Sequence, residues 1–432
     1  MKAYRRNSGF IPEVKCYNFY LEKDESGISP DGTLRIQRPS LTDSTEIASP
    51  VRGVIGNPLN STLVSVGAEN LYIDSTLVAS GITGDNIVSL VTTKFYTAIC
   101  NGDQVWLYPP GGPLATVAMP DGRAVVDIEQ LDSYIILFCP DGRFYWLLPG
   151  ESAVDPLNFA TAESSADGGI AVRRVGDEFW LFGSDSIEPW QPTGDADLPF
   201  ERSSGRIMAK GCLDRHTVRR FDNTLFWVGD DSNVYRGGGV PAVVSTPAIS
   251  ERIGNRVGEM SAWTFGREGH DFYVLRIPGQ GSFVYDASTQ EWAQWGTDGY
   301  DTWRAYVGYD ADGAIYAGSL DSGDIWTVDD GPEVFERVVT GTVPIAGKPP
   351  RNDSLTVGVG ASEDCLVRIR YRDGQDDYPV GYYDELEVRA PYDLCTLYRL
   401  GQPQPPYREV EVSFVTSAKV RVAGCLANEG WA

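Results

Sequence analysis

A hairpin-like unit recurs along this chain and constrains its fold more than any other feature. Each copy has an apolar strand, a polar turn rich in Gly, Asp, Asn or Ser, and a second strand that usually carries aromatic residues. The copies span residues 63–74, 96–109, 134–148, 178–194, 224–238, 272–286 and 314–331. The equivalent positions on the second strands are Tyr72, Trp106, Tyr145, Glu188, Tyr235, Tyr285 and Trp326. Successive positions are 34, 39, 43, 47, 50 and 41 residues apart.

These spacings are typical of one four-stranded propeller blade per unit. Apolar residues alternate with period 2, and the pairs Asn101-Gly102 and Asp141-Gly142 suit tight hairpin turns. A single hairpin cannot bury its apolar face, whereas radial stacking of neighbours buries both faces. We therefore predict an all-β fold with a β-propeller of seven blades, with six or eight as alternatives.

The blade spacing ends near residue 332, and alternating strands follow it. We predict a propeller over residues 1–335 and a small β-sandwich or barrel over residues 336–432. The N-terminal segment is a candidate to complete the last blade, because closing a propeller with strands from both ends protects its edges. In "CLVRIRYRDG", Val367, Ile369 and Tyr371 are expected to face the core and the intervening arginines to face solvent.

One segment, "STPAISERIGNRVGEMSAW", breaks the β pattern. Thr246 is a good N-cap and Pro247 is tolerated at the first helical position. Ile249, Ile253 and Val257 then fall on one face at helical spacing. We predict a single short helix here.

Charge and composition exclude several classes of protein. The formal charge of −24 repels phosphate and argues against conventional DNA-gripping proteins, although an acidic wall past which DNA slides is compatible with it. There is no run of 18 apolar residues and no signal-peptide pattern, so we expect no membrane insertion.

The cysteines are odd in number, and no two have C-x-x-C spacing. We therefore expect buried free thiols in a reducing cytosol, with neither a disulfide framework nor a zinc site. The seven positions are Cys16, Cys100, Cys139, Cys212, Cys365, Cys395 and Cys425.

Candidate catalytic groups are few. His216, in "CLDRHTVRR", is interpreted as a surface or loop histidine beside structural ion pairs, and His270 as a turn residue before a strand. P-loop, G-x-S-x-G and G-x-G-x-x-G motifs are absent from the sequence. We predict no catalytic, cofactor-binding or metal-binding residues, and a chain that is not an enzyme.

Two aromatic-rich strands, in "FVYDASTQEWAQW", leave a choice between strand packing and a sugar-binding platform. Tyr285 and Asp286 end one run, and Trp292 and Trp295 lie in the next. We favour strand packing around an "STQ" turn. A glycosidase would need two carboxylates roughly 5 to 9.5 Å apart, which the sequence cannot demonstrate.

Three ordered stretches resemble the packaged-DNA stabilisation proteins of short-tailed bacteriophages, also called tail hub, nozzle or tail accessory proteins. The first is "YNFYLEKDESG…LRIQRPSL…VRGV…LVSVGAENLY". The second comprises "FWLFGSDSIEPWQPTG" and "GREGHDFYVLRIPGQGSFVYDASTQEWAQW". The third is "VRIRYRDG" followed by "LYRLGQPQPPYREVEVSFVTSAKVRVAGCLANE". The chain departs from the family at "QPQPPY", where arginines are often found.

The resemblance implies a structural protein of the virion tail, made in the host cytoplasm. It implies a homo-oligomeric ring of six copies below the head-to-tail adaptor, continuing the DNA channel and helping to retain packaged DNA. The implied partners are the adaptor, tail spikes or fibres, and a needle or plug, with transient non-specific contact to DNA. No cofactor is implied.

Two other functions stay open on the sequence. One is a carbohydrate-active or carbohydrate-binding propeller, such as a glycosidase or depolymerase. The other is a propeller scaffold for peptide partners. Sugar release from host polysaccharide would favour the first, and a monomeric chain that captures peptides would favour the second.

Overall fold

The computed structural model describes residues 16–57, 59–162, 167–195, 198–203, 205–311, 313–344, 354–373, 383–401 and 407–427. Strands dominate these residues, together with one α-helix and the short 3-10 turns Pro120–Gly122 and Arg215–Thr217. Within the described ranges, no helix has the length and apolar character needed to cross a membrane.

The chain divides into two compact units. The larger unit comprises Asp43–Gln280 and Arg304–Val328, and the smaller unit comprises Met1–Thr42, Gly281–Trp303 and Asp329–Ala432. The predicted boundary near residue 336 stays a prediction.

The N-terminal strands, in chain order, are β1 (Cys16–Tyr17), β2 (Phe19–Lys23), β3 (Thr33–Gln37) and β4 (Ser40–Glu46). They are followed by β5 (Val51–Asn57), β6 (Thr62–Gly67), β7 (Asn70–Ile73), β8 (Thr76–Ser80), β9 (Ser89–Thr92), β10 (Thr97–Cys100), β11 (Val105–Tyr108), β12 (Ala115–Thr116), β13 (Asp127–Leu131), β14 (Tyr134–Phe138), β15 (Arg143–Leu147), β16 (Phe159–Thr161), β17 (Gly169–Val175), β18 (Glu178–Gly183), β19 (Ile187–Pro192), β20 (Phe200–Arg202), β21 (Arg219–Phe221), β22 (Thr224–Val228), β23 (Val234–Arg236) and β24 (Ala242–Val243).

Helix α1 (Pro247–Gly254) separates these strands from the rest. The remaining strands are β25 (Ser261–Arg267), β26 (His270–Ile277), β27 (Gly281–Asp286), β28 (Glu291–Trp295), β29 (Val307–Ala311), β30 (Ala314–Gly318), β31 (Asp324–Asp329), β32 (Phe335–Pro344), β33 (Ser354–Ala361), β34 (Cys365–Asp373), β35 (Asp384–Val388), β36 (Tyr392–Tyr398), β37 (Tyr407–Thr416) and β38 (Val420–Ala427).

The larger unit consists of antiparallel sheets in sequence order. Strands β5–β8, β9–β12, β13–β16, β17–β20 and β21–β24 each form a four-stranded sheet. Strands β25 and β26 pair with each other. The sheet β29-β30-β31 takes the N-terminal strand β4 as its fourth member, and the backbone N–H of Ile47 donates to the Gly323 carbonyl at 2.8 Å.

The first strand of each sheet lies beside the first strand of the next. The order is β5, β9, β13, β17, β21, β25 and β29, and β29 lies beside β5 again. This closed circle confirms the predicted β-propeller. Strands β25–β26 and β27–β28 fall in different units, so the number of blades stays a prediction.

The predicted hairpins form the second and third strands of these sheets. Gly102 and Gly142 adopt φ values of 94° and 80° in their turns, as their Asn-Gly and Asp-Gly pairs predict. Aromatic side chains fill the space between successive sheets. Phe144 on β15, for example, meets Phe179 on β18 edge-on at 5.5 Å between ring centroids. Burying one such side chain contributes roughly 1.5–3 kcal/mol.

The smaller unit contains two sheets. One has the order β27-β28-β1-β32-β37-β34-β35 and the other β2-β3-β38-β33-β36. The rings of Phe19 and Phe414, from different sheets, meet edge-on at 6.4 Å. The "FVYDASTQEWAQW" stretch forms β27, a turn and β28. Its Tyr285, Trp292 and Trp295 side chains are buried, so strand packing explains these aromatics.

Helix α1 begins as predicted and ends early. The Thr246 hydroxyl accepts the backbone N–H of Ile249 at 3.4 Å, and Ile249 and Ile253 are buried. Val257, predicted on the same face, lies beyond the helix and is 75% exposed. The helix ends at Gly254, and Gly258 turns the chain with φ of 104°.

Arg368, Arg370 and Arg372 on β34 were predicted to face solvent and are half-buried, as is Tyr371, which was predicted to face the core. Val367 and Ile369 are buried on the opposite face. On the arginine face, Arg370 pairs with Glu411 at 2.5 Å and Arg372 with Glu409 at 2.9 Å. Both glutamates lie on the neighbouring strand β37 and are buried. The arginines therefore pair across the sheet.

All seven cysteines are free thiols, of which Cys16, Cys100, Cys139, Cys212 and Cys395 are buried. Cys365 is half-buried and Cys425 is exposed, contrary to the expectation that all are buried. Most of the "QPQPPY" loop lies outside the described residues.

Candidate functional site at the propeller axis

The first strands of the larger unit surround an axis and create a common structural problem. Each is an edge strand whose outer N–H and C=O groups lack a neighbouring strand in its own sheet. Buried backbone groups without partners are costly. Polar side chains from adjacent sheets supply several of those partners, and these bonds are named axial latches here.

Carboxylates make the first type of axial latch. Asp127, fully buried on β13, accepts the Ser89 hydroxyl from β9 at 2.6 Å and the Val172 N–H from β17 at 3.0 Å. Glu129, on the same strand, accepts the Arg174 N–H at 3.0 Å. Burial raises the pKa of Glu129 above its ordinary value. One strand thus binds the first strands on both of its sides.

The next latch of this type joins β29 to β25. Asp310 accepts the Gly266 N–H at 2.8 Å. In the opposite direction, the Ser261 hydroxyl donates to the Tyr306 carbonyl at 3.0 Å.

Arginines make the second type of axial latch. Their Nε atoms donate to backbone carbonyls of the following sheet or of the segment leading into it: Arg52 to Asn86 at 2.7 Å, Arg173 to Val218 at 3.3 Å and Arg219 to Ala262 at 2.6 Å. Arg173 also pairs with Asp127. Each arginine follows a valine that lies in a first strand or just before it, and the repeated Val-Arg pair is the sequence signal that our sequence analysis missed.

Arg215 links three sheets near the ends at which their first strands begin. Its guanidinium donates to the carbonyls of Asn101 at 2.9 Å, Ile87 at 3.4 Å and Val126. These carbonyls belong to two other sheets or the segments leading into them. A Cβ added at Gly102 would lie 2.0 Å from Arg215 Nη1, so this approach requires glycine.

His216 lies in the same 3-10 turn, so it is a loop residue as one of our two alternatives had it, but it is not on the surface. It is only 1% exposed, and its Nε2 accepts the Arg215 Nε–H at 2.8 Å. Burial and the neighbouring arginines 215, 219 and 173 hold its pKa well below the ordinary value. The imidazole is therefore neutral and acts as an acceptor for Arg215.

His270 also departs from its predicted role as a turn residue. It is the first residue of β26 and is buried. Its imidazole stacks on Phe272 with 5.8 Å between the ring centroids. The two histidines thus have separate packing roles.

A central cavity of about 400 Å³ lies between the first strands. Its charged lining residues are Glu129, Arg173, Arg219, Arg220 and Asp310. Arg220 is exposed and marks the mouth of the cavity. In the part of the chain that the structure describes, no group of three or more His, Cys, Asp or Glu residues is arranged to hold a metal ion.

Two solved structures are among those similar to the chain. The N-terminal domain of Nup159 is 10% identical and covers 73% of this chain and 99% of its own, with a TM-score of 0.45. The computationally designed Ika8 protein is 13% identical and covers 74% of this chain and 98% of its own, with a TM-score of 0.42. A comparison with curated proteins found no significant match.

A family model described as the β-propeller of bacteriophage P22 Gp10 matches residues 7–331. The match covers all the repeated hairpins and both types of axial latch. It agrees with the resemblance found in the sequence. The chain belongs to this phage-stabilisation family and is a structural protein of a bacteriophage virion.

Proposed function

We propose that this chain assembles into a homomeric ring, of six copies, in the virion tail below the head-to-tail adaptor. In that position it continues the DNA channel, helps to retain packaged DNA, and anchors tail spikes or fibres and a needle or plug. The chain acts by assembly and catalyses no reaction. The family match over residues 7–331 is the observation that carries this proposal.

The small cavity at the propeller axis supports a DNA channel that is formed between chains and not through a single propeller. The major groove of B-DNA alone is about 12 Å wide, and a duplex cannot pass through a cavity of about 400 Å³. DNA therefore has to contact outer surfaces of the propeller. A ring of copies provides a lumen bounded by those surfaces.

The charge of the chain supports a passage for DNA. At −24, the chain repels phosphate as a whole. A basic wall would release counterions on binding DNA and hold it in place. An acidic wall leaves DNA free to move during ejection.

Exposed apolar residues on successive sheets support lateral association. The loops between the third and fourth strands of β13–β16, β17–β20 and β21–β24 each carry at least one that is more than half exposed. These residues are Leu157, Leu198 and Val240, which are 84%, 53% and 84% exposed. We name them the rim residues. We assign the rim residues to the contact between copies.

Light scattering after gel filtration tests the ring. The purified chain should give a mass of about six copies, either alone or when mixed with the adaptor complex. Leu157→Asp with Val240→Asp should weaken association about tenfold or more, since central apolar contacts dominate interfaces. Val257→Asp, at an exposed position outside the rim, is the matched control. A monomer under both conditions would overturn the proposal.

A further inference from the structure

The central cavity has unused hydrogen-bond donors. Arg219 donates through Nε to Ala262 and through Nη1 to Val218 at 2.9 Å. Its Nη2 has no hydrogen-bond partner within the described ranges, and the same holds for Nη2 of Arg173. The Arg220 guanidinium has neither a hydrogen bond nor an ion pair among those residues. These three side chains line the same cavity.

The carboxylates in the cavity are already engaged. Glu129 accepts the N–H groups of Gln130 at 2.8 Å and Arg174 at 3.0 Å, one on each oxygen. Asp310 accepts those of Gly266 at 2.8 Å and Gly313 at 3.3 Å, again one on each oxygen. None of these bonds involves a cavity arginine. The unused capacity of the charged lining is thus mainly donor capacity, because arginine has five N–H donors and no acceptor.

We propose that the central cavity binds a small oxyanion, a phosphate or a carboxylate, held by Arg219 and Arg173 inside the cavity and by Arg220 at its mouth. Such an ion is rich in acceptors and matches the planar guanidinium groups. It also compensates two arginines, Arg219 and Arg220, that form no ion pair among the described residues.

The dimensions of the cavity limit the ligand. Ligand sites commonly have volumes of about 300–1,000 Å³, and this cavity of about 400 Å³ is at the small end of that range. A cavity of this size takes a small free ion.

The electrostatics of Arg219 agree with this assignment. Burial, together with Arg173, lowers the pKa of Arg219 to about 10. A neighbouring anion would oppose both effects. The oxyanion would thus stabilise the first strands against the repulsion between their arginines.

Isothermal titration calorimetry on the full chain tests the site, with inorganic phosphate and succinate titrated separately at an ionic strength held constant with sodium chloride. We expect saturable 1:1 binding of at least one of the two, and the tighter ligand identifies the class. Arg220→Gln should weaken it about tenfold, the effect of losing one charge-assisted hydrogen bond.

Arg236→Gln is the matched control, because Arg236 is exposed, pairs with Asp222 at 2.8 Å and does not line the cavity. Its affinity for the ion should equal that of the wild type. Arg219→Gln should abolish binding. If the Arg219→Gln variant does not fold, the Arg220→Gln variant still decides the test. If neither phosphate nor succinate gives more heat than a titration of sodium chloride, the proposal is overturned. Equal affinity of Arg220→Gln and wild type would also overturn it, since the ion would then bind elsewhere.

Discussion

The two units stabilise buried charge in different ways. Around the axis of the larger unit, side chains bond mainly to backbone groups, and these latches recur on successive sheets. In the smaller unit, one buried guanidinium is paired with both oxygens of a single carboxylate. Arg38 donates to both carboxylate oxygens of Glu333 at 3.0 and 3.1 Å, to Asn18 at 3.0 Å and to the Gly296 carbonyl at 3.1 Å.

The difference indicates how strongly a single substitution should destabilise each unit. Distributed latches share the task of satisfying edge strands, so losing one leaves the others in place. A concentrated ion-pair centre fails as a whole, because removing one partner leaves a buried charge uncompensated. We therefore expect the largest single effects in the smaller unit.

Arg38→Ala should have the largest effect. It leaves Glu333 unpaired and removes the cation stacked 3.8 Å from the Phe335 ring centroid. We expect a loss of about 3–5 kcal/mol in the free energy of unfolding, measured by urea denaturation. Arg368→Ala is the control, since its pair with Glu385 is exposed and contributes about 0–1 kcal/mol. Similar effects for the two would refute the concentrated centre.

Asp127→Ala should rank second and tests a single latch. It removes the acceptor of Ser89 and Val172 and the partner of Arg173. The expected loss is about 2–4 kcal/mol. Asp222→Ala, which breaks an exposed pair with Arg236, should cost less than about 1 kcal/mol. A loss for Asp127→Ala exceeding that for Arg38→Ala would reverse the comparison.

The buried, neutral His216 predicts that the free energy of unfolding depends on pH. Its folded pKa lies well below the unfolded value near 6.5. The unfolded chain therefore binds more protons as the pH falls below about 6.5, and stability decreases there by up to about 1.4 kcal/mol per pH unit.

Glu129 and Asp214, whose pKa values are raised by burial, change stability in the opposite sense. The measurement is therefore the difference in the free energy of unfolding between the wild type and His216→Asn, obtained by thermal unfolding from pH 7.5 to 5. As the pH falls, the wild type should lose stability relative to His216→Asn. A difference that is independent of pH would mean that His216 is not buried and neutral.

Gly102→Ala should have the smallest effect of the set. The position has φ of 94°, and the new Cβ would meet Arg215. Gly81→Ala, at φ of 112° with nothing within 4 Å of the added Cβ, measures the backbone strain alone. We expect Gly102→Ala to cost about 1 kcal/mol more than Gly81→Ala. Equal melting temperatures would show that Arg215 does not press on this turn.

Local patterns predicted the local structure well. Period-2 alternation and Asn-Gly or Asp-Gly pairs identified the second and third strands of the sheets, and Thr246-Pro247 identified the start of the helix. The axial latches were not predictable in the same way, because Asp127 and Val172 lie 45 residues apart and their bond has no local pattern. The burial of His216 was missed for the same reason, since its neighbours come from other sheets.

The cross-strand pairs of β34 show a further limit. Alternation correctly separated Val367 and Ile369 from the arginines, yet it could not show which face is covered. Glu409 and Glu411 supply that cover from a strand about 40 residues away. The pattern of one strand specifies its two faces, and the partner strand decides the environment of each face.

Electron cryomicroscopy of the chain assembled with its adaptor and packaged DNA tests the central claim most directly. The account predicts a ring of copies, DNA density in the lumen between them, and no DNA density along the propeller axis of any copy. Density for DNA passing through the axis of a single propeller, or a lone copy attached beside the channel, would contradict it.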